Sequence, residues 1–298
     1  MASLKDVRVK ITGVRKTKQI TRAMNMVASA KLRGAQARSE KFRAYADRFH
    51  EMLQRLSDQE TELAHPLLTP HEETKKVGII LTTSDRGLCG GFNVNLINKA
   101  LQVARQKQAE DKEVVFYCVG KKGRDAIRKL GFTIASDMAG VMGSFDFPLA
   151  ARIGQDVIDA YARQELDEVI LIYSEFMSLM RQMPTVQAIL PVASSETEKD
   201  AGEAAGQAAG QGTEYIFEPA GAALMDVLLP RIVKSLVYRG LLETSTSENA
   251  ARMTAMDNAT RNCDDLTKAL TLLFNKTRQA VITNELIDIV GGVEALKG

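Results

Sequence analysis

The chain contains no tryptophan, and aromatic residues make up only 5% of its 298 positions. A broad core built from large rings is therefore excluded, and aliphatic side chains must cover much of the apolar surface, as they do between paired helices. Cysteine is scarce: Cys89, Cys118 and Cys263 lie far apart with no C-x-x-C spacing. That pattern fits a reducing compartment and offers no metal site. Histidine is equally sparse, and His50, His65 and His71 do not cluster. No apolar run approaches the roughly 20 residues needed to span a bilayer. No signal peptide is expected, because charge begins at Lys5 and Asp6, almost at the first residue.

Proline is missing from Leu4 to Leu56, and that stretch carries an apolar stripe through Leu4, Val7, Ile11, Val14, Thr21, Ala28, Leu32 and Ala35, broken by Lys18 and Asn25. The spacing predicts one long helix. It is strongly basic: fourteen Lys or Arg between Lys5 and Arg55 face only Asp6, Glu40, Asp47 and Glu51. A local excess of this size in a chain whose net charge is +2 marks an acidic partner. Glycine and proline are also absent from Leu241 to Val290. There Ala259, Cys263, Leu266, Leu270, Leu273, Thr277, Ala280, Asn284 and Ile287 recur at spacings of four and three, which predicts a seam on a second long helix starting near Ala222 and passing Pro230. Thr277 and Asn284 make the seam imperfect, leaving room for partners beyond a single helix.

Between the helices the pattern changes. The polar, Pro-containing link 57–76 precedes short apolar runs at 77–82, 114–119 and 169–173, which alternate with helical stretches at 94–107, around 121–127 and at 147–163. Continuous apolar strands alternating with helices predict a small, mostly parallel sheet covered on both faces. Further strands are expected at 185–190 and 213–218. The segment 194–212, SSETEKDAGEAAGQAAGQG, is small, polar and Gly-rich, and is expected to be a flexible surface loop. The expected organisation is a helix over 1–57, a Rossmann-like α/β domain over 76–218 and a helix over 219–298, the two long helices being antiparallel if they meet.

The loop SDRGLCGGFN, 84–93, follows a strand and opens a helix, where phosphates sit in Rossmann and P-loop proteins. It lacks the details. Gly90 and Gly91 are followed by Phe92 and Asn93 rather than Lys and Ser or Thr, and there is no G-x-G-x-x-G. The glycines read as a tight turn, and no cofactor is expected. There is no G-x-S-x-G elbow, and Cys89 reads as a small loop residue more readily than as a nucleophile. The basic first helix suits a nucleic acid as well as a protein, but it lacks interleaved aromatics.

The segments ITRAMNMVASAKLRGAQ (20–36), SDRGLCGGFN (84–93), ENAARMTAMDNAT (248–260) and NKTRQAVITNELIDIVGG (275–292) closely resemble the gamma subunit of F-type ATP synthases. The resemblance covers both ends and the middle in the right order. It implies a non-catalytic rotary shaft: an antiparallel coiled coil inside a ring of alpha and beta subunits, with the α/β domain as a foot resting beside the epsilon subunit on the c-subunit ring. It implies partner contacts rather than catalytic or cofactor residues. Met24 and Arg252 would meet the acidic lever loop of a beta subunit, and Arg86 and Cys89 lie in a loop that can meet the same lever. Arg278 and Gln279 match a pair that hydrogen-bonds a beta-subunit catch loop, with Thr283 and Glu285 on the same part of the shaft. Membrane association would come through the complex, at the cytoplasmic face of a bacterial inner membrane, and the lack of a leader before Ala2 is read as favouring a bacterial chain. No cysteine pair occurs in 194–212, so thiol regulation there is unsupported. The alternatives are a basic coiled-coil structural or nucleic-acid-binding protein, with no ATPase partners, and a Rossmann-like enzyme.

Overall fold

A computed structural model describes residues 4–59, 65–71, 73–192 and 221–297. The long helices α1 (Leu4–Gln59) and α5 (Gly221–Lys297) form as expected, and α5 runs unbroken through Pro230. The chain divides into two compact units, Met1–Ala30 with Arg252–Gly298, and Lys31–Ala251. Each long helix thus contributes residues to both.

The second unit is built on five strands: β1 (Lys76–Thr82), β2 (Glu113–Val119), β3 (Thr133–Met138), β4 (Glu168–Phe176) and β5 (Gln182–Leu190). Their order is β3-β2-β1-β4-β5. All neighbours pair parallel except β4 with β5. Helices α2 (Phe92–Ala109) and α3 (Lys121–Lys129) cover one face. There Leu96, Ala100 and Ile127 pack on Ile79, Phe116 and Ile172. Helix α4 (Phe147–Ala162) and α5 cover the other, where Ile153, Val157, Leu229, Val233 and Val237 pack on Ile80, Leu171 and Tyr173. With both faces covered, β1 buries every residue after Lys76. That explains why its sequence is a continuous apolar run rather than an alternating one. Helix α4 starts with Asp146 accepting from the Leu149 amide and with Pro148 in the first turn, a regular entry signal.

Two expectations change. Strand β3, which the apolar runs did not reveal, forms an edge of the sheet; its TIASDM sequence alternates exposed and half-buried positions and contains no apolar run. Strand β5 begins three residues earlier than the expected 185. The expected strand 213–218 and the loop 194–212 lie outside the described residues.

Helix α5 is unusual where it crosses the second unit, because every residue from Gly240 to Ala250 is buried. The sequence there, GLLETSTSENA, is mostly polar. Gly240 allows the close approach: a Cβ at this position would lie 2.7 Å from Leu171 Cδ2 on β4.

Candidate functional site

In the first unit, α1 turns Leu4, Val7, Ile11, Val14, Lys18, Thr21, Asn25 and Ala28 away from solvent, to differing degrees. The two polar interruptions of the stripe are pegs rather than defects. Lys18 Nζ pairs with Asp264, and Asn25 Nδ2 donates to the Met253 carbonyl at 2.9 Å. Between them Thr21 and Thr260 share a hydroxyl bond of 2.8 Å. These bonds fix an antiparallel register, since a slip by one residue would separate all three pairs.

The seam on α5 is phased differently from the expectation. Cys263, Leu270 and Thr277 lie on the covered side, but Leu266 and Leu273 are 49% and 46% exposed. Met256, Thr260, Thr267 and Phe274 are covered in their place. Following the leucines was misleading because threonine hydroxyls can be satisfied within the helix. Thr260 donates to Met256 O at 2.8 Å and Thr267 to Cys263 O at 2.7 Å, which leaves their methyl groups for packing. From Arg278 to Val293 every residue of α5 is exposed, so Ala280, Asn284 and Ile287 are not seam positions in this chain.

Met24 and Arg252, both half-buried, flank the Asn25–Met253 bond on facing helices. Arg278, Gln279, Thr283 and Glu285 are exposed together on a two-turn stretch of α5, where Thr283 Oγ1 donates to Gln279 O at 2.9 Å. Arg86 and Cys89 belong to the second unit. Arg86 is exposed, whereas Cys89 is 2% exposed. The Cys89 sulfur accepts from Asn93 Nδ2 at 3.2 Å. Cys89 therefore faces the inside of the loop, and Leu88, with a positive φ of 63°, presents its side chain outside.

That loop is held by Ser84, Asp85 and Asn93. Asn93 Oδ1 accepts from both the amide and the hydroxyl of Ser84, at 3.0 and 2.9 Å. The Asp85 carboxylate accepts from Lys121 N at 2.9 Å, Gly140 N at 2.7 Å and Met142 N at 2.9 Å, tying together the chain after β1, β2 and β3. The amides of Lys122 and Gly123 go to Ser84 O at 3.1 Å and Thr83 Oγ1 at 2.8 Å. The first amides of α3, which would hold a phosphate in a nucleotide-binding sheet, are thus occupied by oxygens of this chain. Gly120, at φ 97°, permits the crossing: a Cβ there would lie 2.1 Å from Thr83 O. The sequence signal for Asp85 was present in SDRG, a side-chain-capped turn, but its three donors lie 36 to 57 residues away. Burial pushes the thiol of Cys118 up to about 12, away from the thiolate form.

The geometry has counterparts among known proteins. A family model described as ATP synthase matches residues 3–296. The ATP synthase gamma chain of Nitratidesulfovibrio vulgaris is 61% identical over 298 residues, covering 100% of both chains. That of Maridesulfovibrio salexigens is 59% identical over 298 residues, again covering 100% of each. Among solved structures, the central stalk and c-ring of the Tetrahymena thermophila mitochondrial ATP synthase contains a chain matched with a TM-score of 0.58 at 26% identity, over 80% of this chain and 99% of that one. The rotor of the Euglena gracilis mitochondrial ATP synthase contains another, with a TM-score of 0.64 at 21% identity, over 94% of this chain and 98% of that one, a likeness of fold.

Proposed function

This chain belongs to the ATP synthase gamma-chain family, and from that premise we propose that it is the central rotary shaft of an F-type proton-translocating ATP synthase. The observation that carries the reading is the stretch 278–293 of α5, exposed on all sides although Val281, Ile282, Leu286, Ile287, Ile289, Val290 and Val293 are apolar. A helix of this composition is built to be covered by other chains. Alpha and beta subunits supply that cover, and the tip, 289–293 (IVGGV), carries no charged group that would hold one rotational position.

Coupling follows from asymmetry. The beta subunits around one shaft cannot all make the same contacts with it, so each shaft angle favours a different state at each nucleotide site. This is a coupling free energy between distant sites and is reciprocal: proton-driven turning drives ATP synthesis, and ATP hydrolysis turns the shaft back. The chain itself performs no bond chemistry. Met24, Arg252 and Arg86 meet the beta-subunit lever, with Cys89 shaping the loop that carries Arg86, while Arg278 and Gln279 meet the catch loop and Thr283 and Glu285 lie on the same part of the shaft. Each charge-assisted bond of this kind contributes roughly 1.5–3 kcal/mol, enough to bias a subunit without locking it. The sheet domain rests beside the epsilon subunit on the c-subunit ring, and the complex holds the chain at the cytoplasmic face of a bacterial inner membrane. No described helix is long and apolar enough to cross a membrane. The nucleic-acid reading of basic α1 is set aside, because the family match spans the chain.

The test is reconstitution with matching alpha and beta subunits, comparing magnesium-ATP hydrolysis with and without this chain. A stable complex with a single copy of the chain and much faster turnover is expected. A chain that neither joins the complex nor changes turnover overturns the reading. In the same assay, Met24→Lys is expected to uncouple hydrolysis from proton pumping, and unchanged pumping per ATP removes Met24 from the contact set.

A further inference from the structure

Strand β4 outlasts its neighbour. Its pairing with β1 ends at Leu81 opposite Ile172, yet β4 continues to Phe176. On the β5 side Ser174 stands opposite Pro184, which has no N–H to give. Since backbone groups alternate sides along a strand, the polar groups of Ile172, Ser174 and Phe176 point away from β5, toward the side that β1 has vacated. Side chains of α5 and β1 take their place. Ser174 N donates to Thr244 Oγ1 at 3.3 Å, and Ser247 Oγ donates to Ser174 O at 3.0 Å. Phe176 N donates to Glu243 Oε2 at 3.0 Å. Thr82 Oγ1 at the end of β1 donates to Ile172 O at 3.0 Å and so accepts from the Thr244 hydroxyl at 2.8 Å. The other Glu243 oxygen accepts from Ser39 Oγ of α1 at 2.9 Å, with Arg43 of α1 at 3.6 Å. Glu243, Thr244 and Ser247 are all buried and occupy one face of the helix.

We infer that Glu243, Thr244 and Ser247 form a surrogate strand edge that grafts α5, and through Ser39 α1, onto β4, and that this graft makes the sheet domain and the two long helices turn as one under torque. The inference rests on the shaft reading above. Apolar packing of Leu229, Val233 and Val237 on the sheet is non-directional and resists separation better than sliding. Hydrogen bonds have preferred directions and break when a helix rotates or slips by one residue. Gly240 brings the helix close enough for short side chains to reach the strand. The graft residues are buried and act as positioning residues through β4.

The test uses the full chain carrying Thr244→Val with Ser247→Ala, substitutions that remove hydroxyls with little change of volume. Thr271→Val serves as the control, because Thr271 Oγ1 donates only within its own helix, to Thr267 O at 2.7 Å. Hydrogen exchange on the isolated chain reads the graft itself: the Ser174 amide is expected to exchange about tenfold faster in the double variant, with the control unchanged. In complexes reconstituted with the partner subunits, a probe fixed to the sheet domain reads torsional slack from its angular spread while the head is immobilised. The double variant is expected to hydrolyse ATP at the wild-type rate, with a wider angular spread and fewer protons pumped per ATP than wild type or control. Unchanged exchange at Ser174 overturns the graft. Faster exchange with unchanged angular spread overturns its role in torque. If the wild-type chain itself fails to assemble or turn, the shaft reading falls and takes the torque role with it, while exchange at Ser174 still decides the graft.

Discussion

Residues 240–250 and 281–293 belong to one helix and reverse the usual relation between polarity and burial. The first stretch, rich in Glu, Thr, Ser and Asn, is buried throughout; the second, rich in Val, Ile and Leu, is exposed throughout. Burial of the first is tolerated because its polar atoms have partners. Glu243 uses both oxygens, Thr244 and Ser247 bond to β4, and Thr246 and Asn249 bond to carbonyls of their own helix at 2.9 and 2.7 Å. Exposure of the second is an unsatisfied surface of the opposite kind, which the proposed subunit sleeve would cover. Hydropathy therefore describes what each stretch needs, and the neighbours decide whether it is met.

Introducing the same charge into both stretches gives the largest expected effect. In Ser247→Asp a carboxylate, which can only accept, would face the Ser174 carbonyl oxygen out of reach of water, and a loss of about 3 kcal/mol or more is expected. In Ile289→Asp the charge stays in solvent, and stability should remain within about 0.5 kcal/mol. Urea unfolding followed by circular dichroism measures both, and equal losses would break the comparison.

Asp167 sharpens the rule that burial needs partners. Burial pushes its carboxyl up, but the bond from His71 Nδ1 at 2.8 Å and the Lys76 and Lys75 amides at 2.8 and 2.9 Å hold it below the ordinary aspartate value. A depressed carboxyl stabilises the fold above its unfolded pKa, and that contribution is lost as pH falls through the folded value. Asp167→Asn is expected to lower stability at neutral pH by roughly 1.5–3 kcal/mol. It should also flatten the acid side of the stability profile, and an acid limb as steep as that of wild type would assign the loss to other groups.

Smaller effects are expected in the helix pair of the first unit. Asn25→Ala removes the bond to Met253 O and should cost about 1 kcal/mol. Lys18 and Asp264 are 35% and 43% exposed, so a double-mutant cycle should give a coupling of only ~0.2–1 kcal/mol that shrinks in salt. A salt-insensitive coupling would mean the pair is less wet than its exposure indicates.

Much of this was legible before folding. The stripe on α1 was correctly phased from Leu4 to Ala35 because its covered positions keep a strict alternation of three and four, and because Lys18 and Asn25 fall on it as single interruptions. Strands β1, β2 and β4 were legible because burial on both faces leaves a continuous apolar run. The seam on α5 was phased only in part: Ala259, Cys263, Leu270 and Thr277 are covered, but Thr260 and Thr267 pack while Leu266 and Leu273 do not, and periodicity cannot see hydroxyls satisfied inside a helix. Strand β3 was missed because an edge position needs no apolar run. At the candidate site, the exposed residues 278–285 could be singled out from the family segments. The inward turn of Cys89 could not be foreseen, since it depends on Asn93 and Ser84 closing the loop.

The sequence by itself determined two long helices, the compact α/β insert between them and the family, because periodicity, breakers and motif order are local or repetitive properties of a chain. Only the tertiary structure decided which face of α5 is covered and that Asp85 ties together the chain after β1, β2 and β3. It alone placed Glu243, Thr244 and Ser247 as the missing edge of β4. Each of these joins groups distant in sequence, such as Thr82 with Thr244, 162 residues apart. Such pairings depend on where the backbone groups of the sheet are left without a strand, and no local pattern in the chain records that.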